Sequence, residues 1–155
     1  METMFEFTTA TKAQSKLRLA IFGPAGAGKT YSALSIATGM GGKIAVIDTE
    51  YGSASKYADR FTFDTLILKD ASVQTMVRAI NAAANYNVLV LDSLSHSWRE
   101  LLQQVDKLAN AKYKGNTWAA WSEGTPLQNE MVYALLGSPC HIIATMRTAT
   151  EWTRS

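Results

Sequence analysis

The sequence predicts an α/β fold with a mainly parallel sheet, on three observations. Short apolar runs rich in β-branched residues recur along the chain, as buried parallel strands do. Segments with helical spacing lie between most of these runs, the alternation that βαβ units produce. A glycine-rich turn, GPAGAGKT from Gly23 to Thr30, joins the first run to the first helical segment.

The first run, LRLAIFG (Leu17–Gly23), ends on a glycine, and a helical stretch over Thr30–Met40 follows the turn. KIAVIDTE (Lys43–Glu50) repeats the form with a carboxylate at its end, and DTLILKD (Asp64–Asp70) is a weaker third run. Ser72 is placed to cap a helix in which Val73, Met76, Val77 and Ile80 recur at helical spacing. NVLVLDS (Asn87–Ser93) is the fourth run, and Trp98, Leu101, Leu102, Val105 and Leu108 then make an apolar stripe. Thr125–Pro126 has the form of an N-cap and first helical residue, with Leu127, Met131 and Leu135 behind it and Gly137 and Pro139 as stops. CHIIATM (Cys140–Met146) is the fifth run.

With 155 residues, 47% of them hydrophobic, the chain suits one domain of ordinary size. The expected division is an N-terminal segment over 1–16 and a core over 17–155. A net charge of +2 permits contact with nucleic acid without demanding it. Cys140 is the lone cysteine, so no disulfide forms within the chain, which fits a reducing compartment. No apolar run approaches the roughly 18 residues of a membrane helix. Residues 1–16 lack the apolar stretch of a secretory signal. A soluble cytoplasmic protein without a membrane partner is expected. His96 and His141 have no companions at metal-ligand spacing.

The turn matches G-x-x-x-x-G-K-[ST] at Gly23, Gly28, Lys29 and Thr30, between a strand and a helix. Each part has a physical purpose. Glycines let backbone N–H groups converge on phosphate oxygens, Pro24 stiffens the start of the loop, and the helix N-terminus adds partial positive charge. Lys29 reaches toward the β- and γ-phosphates, and the Thr30 hydroxyl is a ligand for Mg²⁺. The segment Gly23, Pro24, Ala25, Gly26, Ala27, Gly28, Lys29, Thr30 and Tyr31 is therefore the expected ATP-binding element. Asp92, ending VLVLD, has the Walker B form of a strand-end carboxylate beside the magnesium shell. Hydrolysis further requires a group that orients or deprotonates water. Glu50 is the candidate, farther out than Asp48 on the same strand face, toward the edge where ligands sit in such sheets.

Together these residues resemble the RecA-like ATPases, and among them the short phage-type proteins associated with single-strand annealing. The stretches that carry the resemblance are LRLAIFGPAGAGKTYSALSIA, GGKIAVIDTEYGSASKYAD, VLVLDSLSHSW and SPCHIIATMRTATEW. The resemblance implies a three-layer RecA-like P-loop NTPase core, truncated at its C-terminus relative to the family. It implies a catalytic glutamate at Glu50 and a polar γ-phosphate sensor at Thr145, where the family usually has Gln. It also implies a sheet order in which the strand near Ile142 lies between the P-loop strand and the Walker B strand. The strand near Val46 then flanks Walker B, with that near Leu66 at the far edge. The P-loop strand is left as an open edge, which favours self-association.

In such proteins loops after the Walker B and sensor strands face DNA. The corresponding segments here are AKYKGNTWAAW, with Lys112, Lys114, Trp118 and Trp121, and RTATEWTRS, with Arg147, Trp152 and Arg154. Cations beside aromatic rings suit single strands. Both segments are expected to be mobile loops. The reading is an ATPase acting on single-stranded DNA in phage-type recombination or annealing, in the host cytoplasm if phage-encoded. An ATP-binding accessory protein of helicase-loader or packaging type with little turnover, and a P-loop small-molecule kinase, are the alternatives.

Overall fold

A computed structural model describes residues 5–148 of the chain. Five strands form one sheet: β1 (Arg18–Gly23), β2 (Ile44–Asp48), β3 (Asp64–Ile67), β4 (Val88–Asp92) and β5 (His141–Arg147). Their order is β1-β5-β4-β2-β3, with every neighbouring pair parallel. This is the order that the RecA-like resemblance implies, with β1 and β3 at the two edges among the described residues.

Strand alternation divides the core. Ile44, Val46, Val88, Val90 and Ile143 face α1 (Lys29–Met40), which buries Ala33, Leu34 and Ala37 against them. Ala45, Ile47, Leu89, Leu91, Ile142 and Ala144 face the other way, onto α2 (Val73–Ala82), α3 (Ser95–Lys112) and α4 (Thr117–Gly137). The result is the three-layer P-loop NTPase fold. Ser72 caps α2 as its position predicted, its Oγ accepting the Thr75 N–H at 3.3 Å.

Two expectations are corrected. The fourth helix does not begin at Thr125–Pro126. It starts at Thr117, capped by Asn116, whose Oδ1 accepts the Ala119 N–H at 3.2 Å, and Pro126 lies inside it. Nor is the segment from Lys112 to Trp121 a loop. Lys112 ends α3, a turn through Lys114 (φ 53°) and Gly115 (φ 83°) reverses the chain, and Trp118 and Trp121 already belong to α4. Packing explains both differences. Trp121 stacks on Trp98 of α3 at 6.2 Å between ring centres. Gly124 brings the two helices so close that a Cβ there would stand 2.5 Å from Val105 Cγ2. Among the described residues no helix is long and apolar enough to cross a membrane.

Candidate nucleotide site

Because all five strands run parallel, their C-terminal ends lie along one edge of the sheet. The register sets Gly23 beside Arg147 and Asp48 beside Asp92. Residues distant in sequence thus meet at one rim, where ligands bind in sheets of this kind.

The cradle is built on β1 and α1. Gly26 (φ 79°) and Gly28 (φ 86°) hold the left-handed backbone that side chains resist, so the loop turns on itself before α1 begins at Lys29. Gly23 ends β1 buried, and a Cβ there would meet that of Ala27 at 3.3 Å. Lys29 Nζ donates to the Pro24 carbonyl at 2.8 Å, which folds the ammonium over the loop.

Asp92 forms the floor. It is 4% exposed, and each oxygen accepts from a threonine: Oδ2 from Thr30 Oγ1 at 2.9 Å, Oδ1 from Thr145 Oγ1 at 2.8 Å. Burial pushes its carboxyl pKa above the ordinary range; the two hydroxyls pull it back in part, and the charges of Glu50 and Asp48 push it up further. A divalent cation held there would offset that penalty. Among the described residues no cluster of three or more His, Cys, Asp or Glu could hold a metal ion by itself. One carboxylate beside one hydroxyl instead fits Mg²⁺, which binds through few protein oxygens plus substrate phosphates.

Residues 15–155 match the family described as AAA domain, all but the first 14 residues of the 155. The chain belongs to that family. It is one of AAA-type P-loop ATPases, a family that implies nucleotide binding. No curated protein matches the chain.

The cleft of the AAA domain has a volume of about 280 Å³. Ala25, Gly26, Gly28, Lys29 and Thr30 line it from the cradle, and Glu50, Asp92 and Arg147 from the strand ends. Asp48 does not line it. Asp48 is fully buried, and its Oδ1 accepts the Glu50 N–H at 2.7 Å, so it shapes the turn that presents Glu50. Thr145 is fully buried too, behind Asp92. Its hydroxyl faces Asp92 and the Leu91 carbonyl rather than the cleft.

Arg147, expected at the start of a DNA-facing tail, is instead part of this cleft. Its guanidinium is ion-paired with Glu50, and its backbone N–H donates to Ser95 Oγ at 2.8 Å, at the first turn of α3. Ser53, Lys56 and Tyr57, from the segment after β2, also line the cleft, and no signal in the sequence marked them. Tyr31 stands outside it, edge-on to Tyr57 at 5.9 Å and to Phe61 at 5.4 Å. Tyr31 therefore touches the cleft only through Tyr57. Lys112, at the end of α3, is paired with Glu123 of α4 at 3.2 Å, and Lys114 lies on the turn between the two helices. Trp152 and Arg154 lie outside the described residues.

Proposed function

We propose that this AAA domain binds ATP with Mg²⁺ in the cleft, hydrolyses it through Glu50, and couples the cycle to single-stranded DNA in RecA-like, phage-type recombination or annealing. The observation that supports this most directly is the meeting of Lys29, the Thr30–Asp92 pair and Glu50 in one cleft.

Each residue has a distinct part. The loop N–H groups and the N-terminus of α1 favour a polyanion. Lys29 exchanges the Pro24 carbonyl for phosphate oxygens, a stronger partner because both groups are charged. Thr30 and Asp92 would hold Mg²⁺, which when bound neutralises charge on the phosphate oxygens. Thr145 is a positioning residue, fixing Asp92 from behind. Glu50, at the strand end, orients the attacking water and accepts its proton. While Arg147 is bound to Glu50, that carboxylate is neutralised. The same pairing favours a second reading, an ATP-binding accessory protein with little turnover.

ATPase assays with and without single-stranded DNA separate the readings. DNA-stimulated hydrolysis, abolished by Lys29→Ala, is the expected result. ATP binding without turnover in either condition selects the accessory reading.

A further inference from the structure

The start of α3 (Ser95–Lys112) stands between two cavities of opposite chemistry. Trp98 joins Trp118 and Trp121 of α4 around an open cavity of about 630 Å³. Ser122, Thr125 and Gln128 complete its lining, so its walls are flat indoles edged by hydroxyl and amide groups, with no aliphatic side chain. Trp98 and Trp121 are stacked with 29° between their planes, and Trp118 is 87% exposed. Three of the chain's four tryptophans thus meet at one surface. Leaving an indole so far in water forfeits apolar burial. Planar rings with a few polar groups at their edge match a nucleobase, which stacks by its face and hydrogen-bonds by its rim.

The second cavity, of about 170 Å³, borders the next face of the same helix. His96, Arg99, Glu100 and Gln103 follow one another at i, i+3, i+4 and i+7, and Lys69 faces them from the segment after β3. Thr49 Oγ1 holds the His96 ring through Nδ1 at 2.8 Å. Lys69 and Arg99 form no ion pair among the described residues, and Glu100 is the one carboxylate in the lining. Trp98 and Arg99 are consecutive on α3, so the cradle and the cationic pocket lie on successive faces of one helix, about 100° apart around its axis.

We propose that the first turns of α3 bind single-stranded nucleic acid, a base stacking in the Trp98–Trp118–Trp121 cradle while the adjoining phosphate enters the Lys69–Arg99 pocket. The inference rests on the single-stranded DNA reading; it keeps Trp118 and Trp121 of the segment expected to face DNA and adds Trp98, Lys69 and Arg99 in place of Lys112 and Lys114. It gives an exposed indole and the cations of the neighbouring face one common ligand. It also predicts little dependence on base sequence, because stacking and phosphate contacts read none.

The test titrates the full chain with oligothymidylate and with an abasic oligomer of equal length, reading tryptophan fluorescence and the anisotropy of the labelled strand. Oligothymidylate quenches the fluorescence; the abasic strand binds more weakly and does not. Trp118→Ala, at an exposed position that leaves the core intact, weakens oligothymidylate binding roughly tenfold and leaves abasic binding unchanged. Lys69→Ala/Arg99→Ala weakens both strands and flattens the salt slope by about one. Binding without quenching, indifferent to Trp118→Ala and to the double variant, overturns the site while the DNA reading stands. No binding of any strand at low salt, with or without a non-hydrolysable ATP analogue, overturns both. Dissociation of a self-associated form by Trp118→Ala, with DNA affinity unchanged, assigns the cradle to a second copy and overturns the proposal.

Discussion

Arg147 is ion-paired with Glu50 in the cleft that Lys29 and Thr30 also line, joining residues 97 positions apart. The parallel register brings the end of β5 to this rim, and Ser95 holds the Arg147 backbone in place. A bound triphosphate offers the guanidinium a second anionic partner. Arginine binds phosphate through a planar fork that lysine lacks. Arg147→Ala is therefore expected to weaken ATP binding roughly tenfold, the order of one charged hydrogen bond, and ADP binding less. Arg147→Lys restores only part of the loss. Calorimetric titration with both nucleotides checks this; equal losses for ATP and ADP rule out a γ-phosphate partner.

Glu50→Gln keeps the shape of the side chain and removes its charge. Nucleotide affinity should hold while hydrolysis falls by roughly 10²–10⁴, the usual worth of a positioned base. Asp48→Asn is the control. Its Oδ1 already accepts the Glu50 N–H, a bond that an amide oxygen can also accept. Asn at 48 is thus expected to keep most activity. Loss of turnover in Asp48→Asn with activity kept in Glu50→Gln would transfer the base to Asp48.

The strands and the phosphate cradle were legible in the sequence because each is local. A β-branched run marks a buried strand, and Gly23 to Thr30 carries its chemistry within eight residues. Asp92 and Glu50 were legible because strand ends in a parallel sheet converge. What stayed hidden depends on tertiary contact. Nothing near Arg147 in sequence points to Glu50, and Lys56 and Tyr57 reach the cleft through a short 3-10 turn (Ala54–Tyr57) without a strong pattern. The start of α4 was missed because Trp118, Trp121 and Gly124 imitate loop composition, while α3 fixes them as helix.

Asp92 contributes a pH dependence of its own to the nucleotide-free protein. Burial first, and the charges of Glu50 and Asp48 last, raise its folded pKa above the unfolded carboxylate value; the threonine hydroxyls lower it by less. The folded state therefore holds this proton more tightly than the unfolded state does. As pH rises from the ordinary carboxylate value through the raised one, ionisation of Asp92 takes stability away, and that loss persists at neutral pH. Asp92→Asn removes the buried charge. It is expected to stabilise the nucleotide-free protein at neutral pH by about 1 kcal/mol, a Tm rise of roughly 2–4 °C at this size. The same variant should lose the extra stabilisation that Mg²⁺ gives on top of nucleotide. Thermal melts of both proteins from pH 3 to 8 test the sign; a lower neutral-pH Tm for the variant contradicts it.

The open edge of the sheet leads to the last expectation. Among the described residues β1 pairs with β5 on one side only, and Phe22 on that strand is 61% exposed. Leu19 and Ala20 border an apolar groove with Val132 and Leu136 of α4, and Leu136 is 64% exposed. An unpaired strand beside apolar side chains offers both backbone hydrogen bonds and buried area to a second chain. The described chain should therefore associate with itself at micromolar concentration. A lysine on such an edge opposes pairing, because its charge must be buried for a second strand to dock. Phe22→Lys is accordingly expected to shift the population toward monomer, with little change in Tm because the ring is mostly in water. Sedimentation velocity over a range of concentrations measures both forms. A wild-type chain that stays monomeric throughout, or an assembly that Phe22→Lys leaves intact, shows that this edge is not where copies meet.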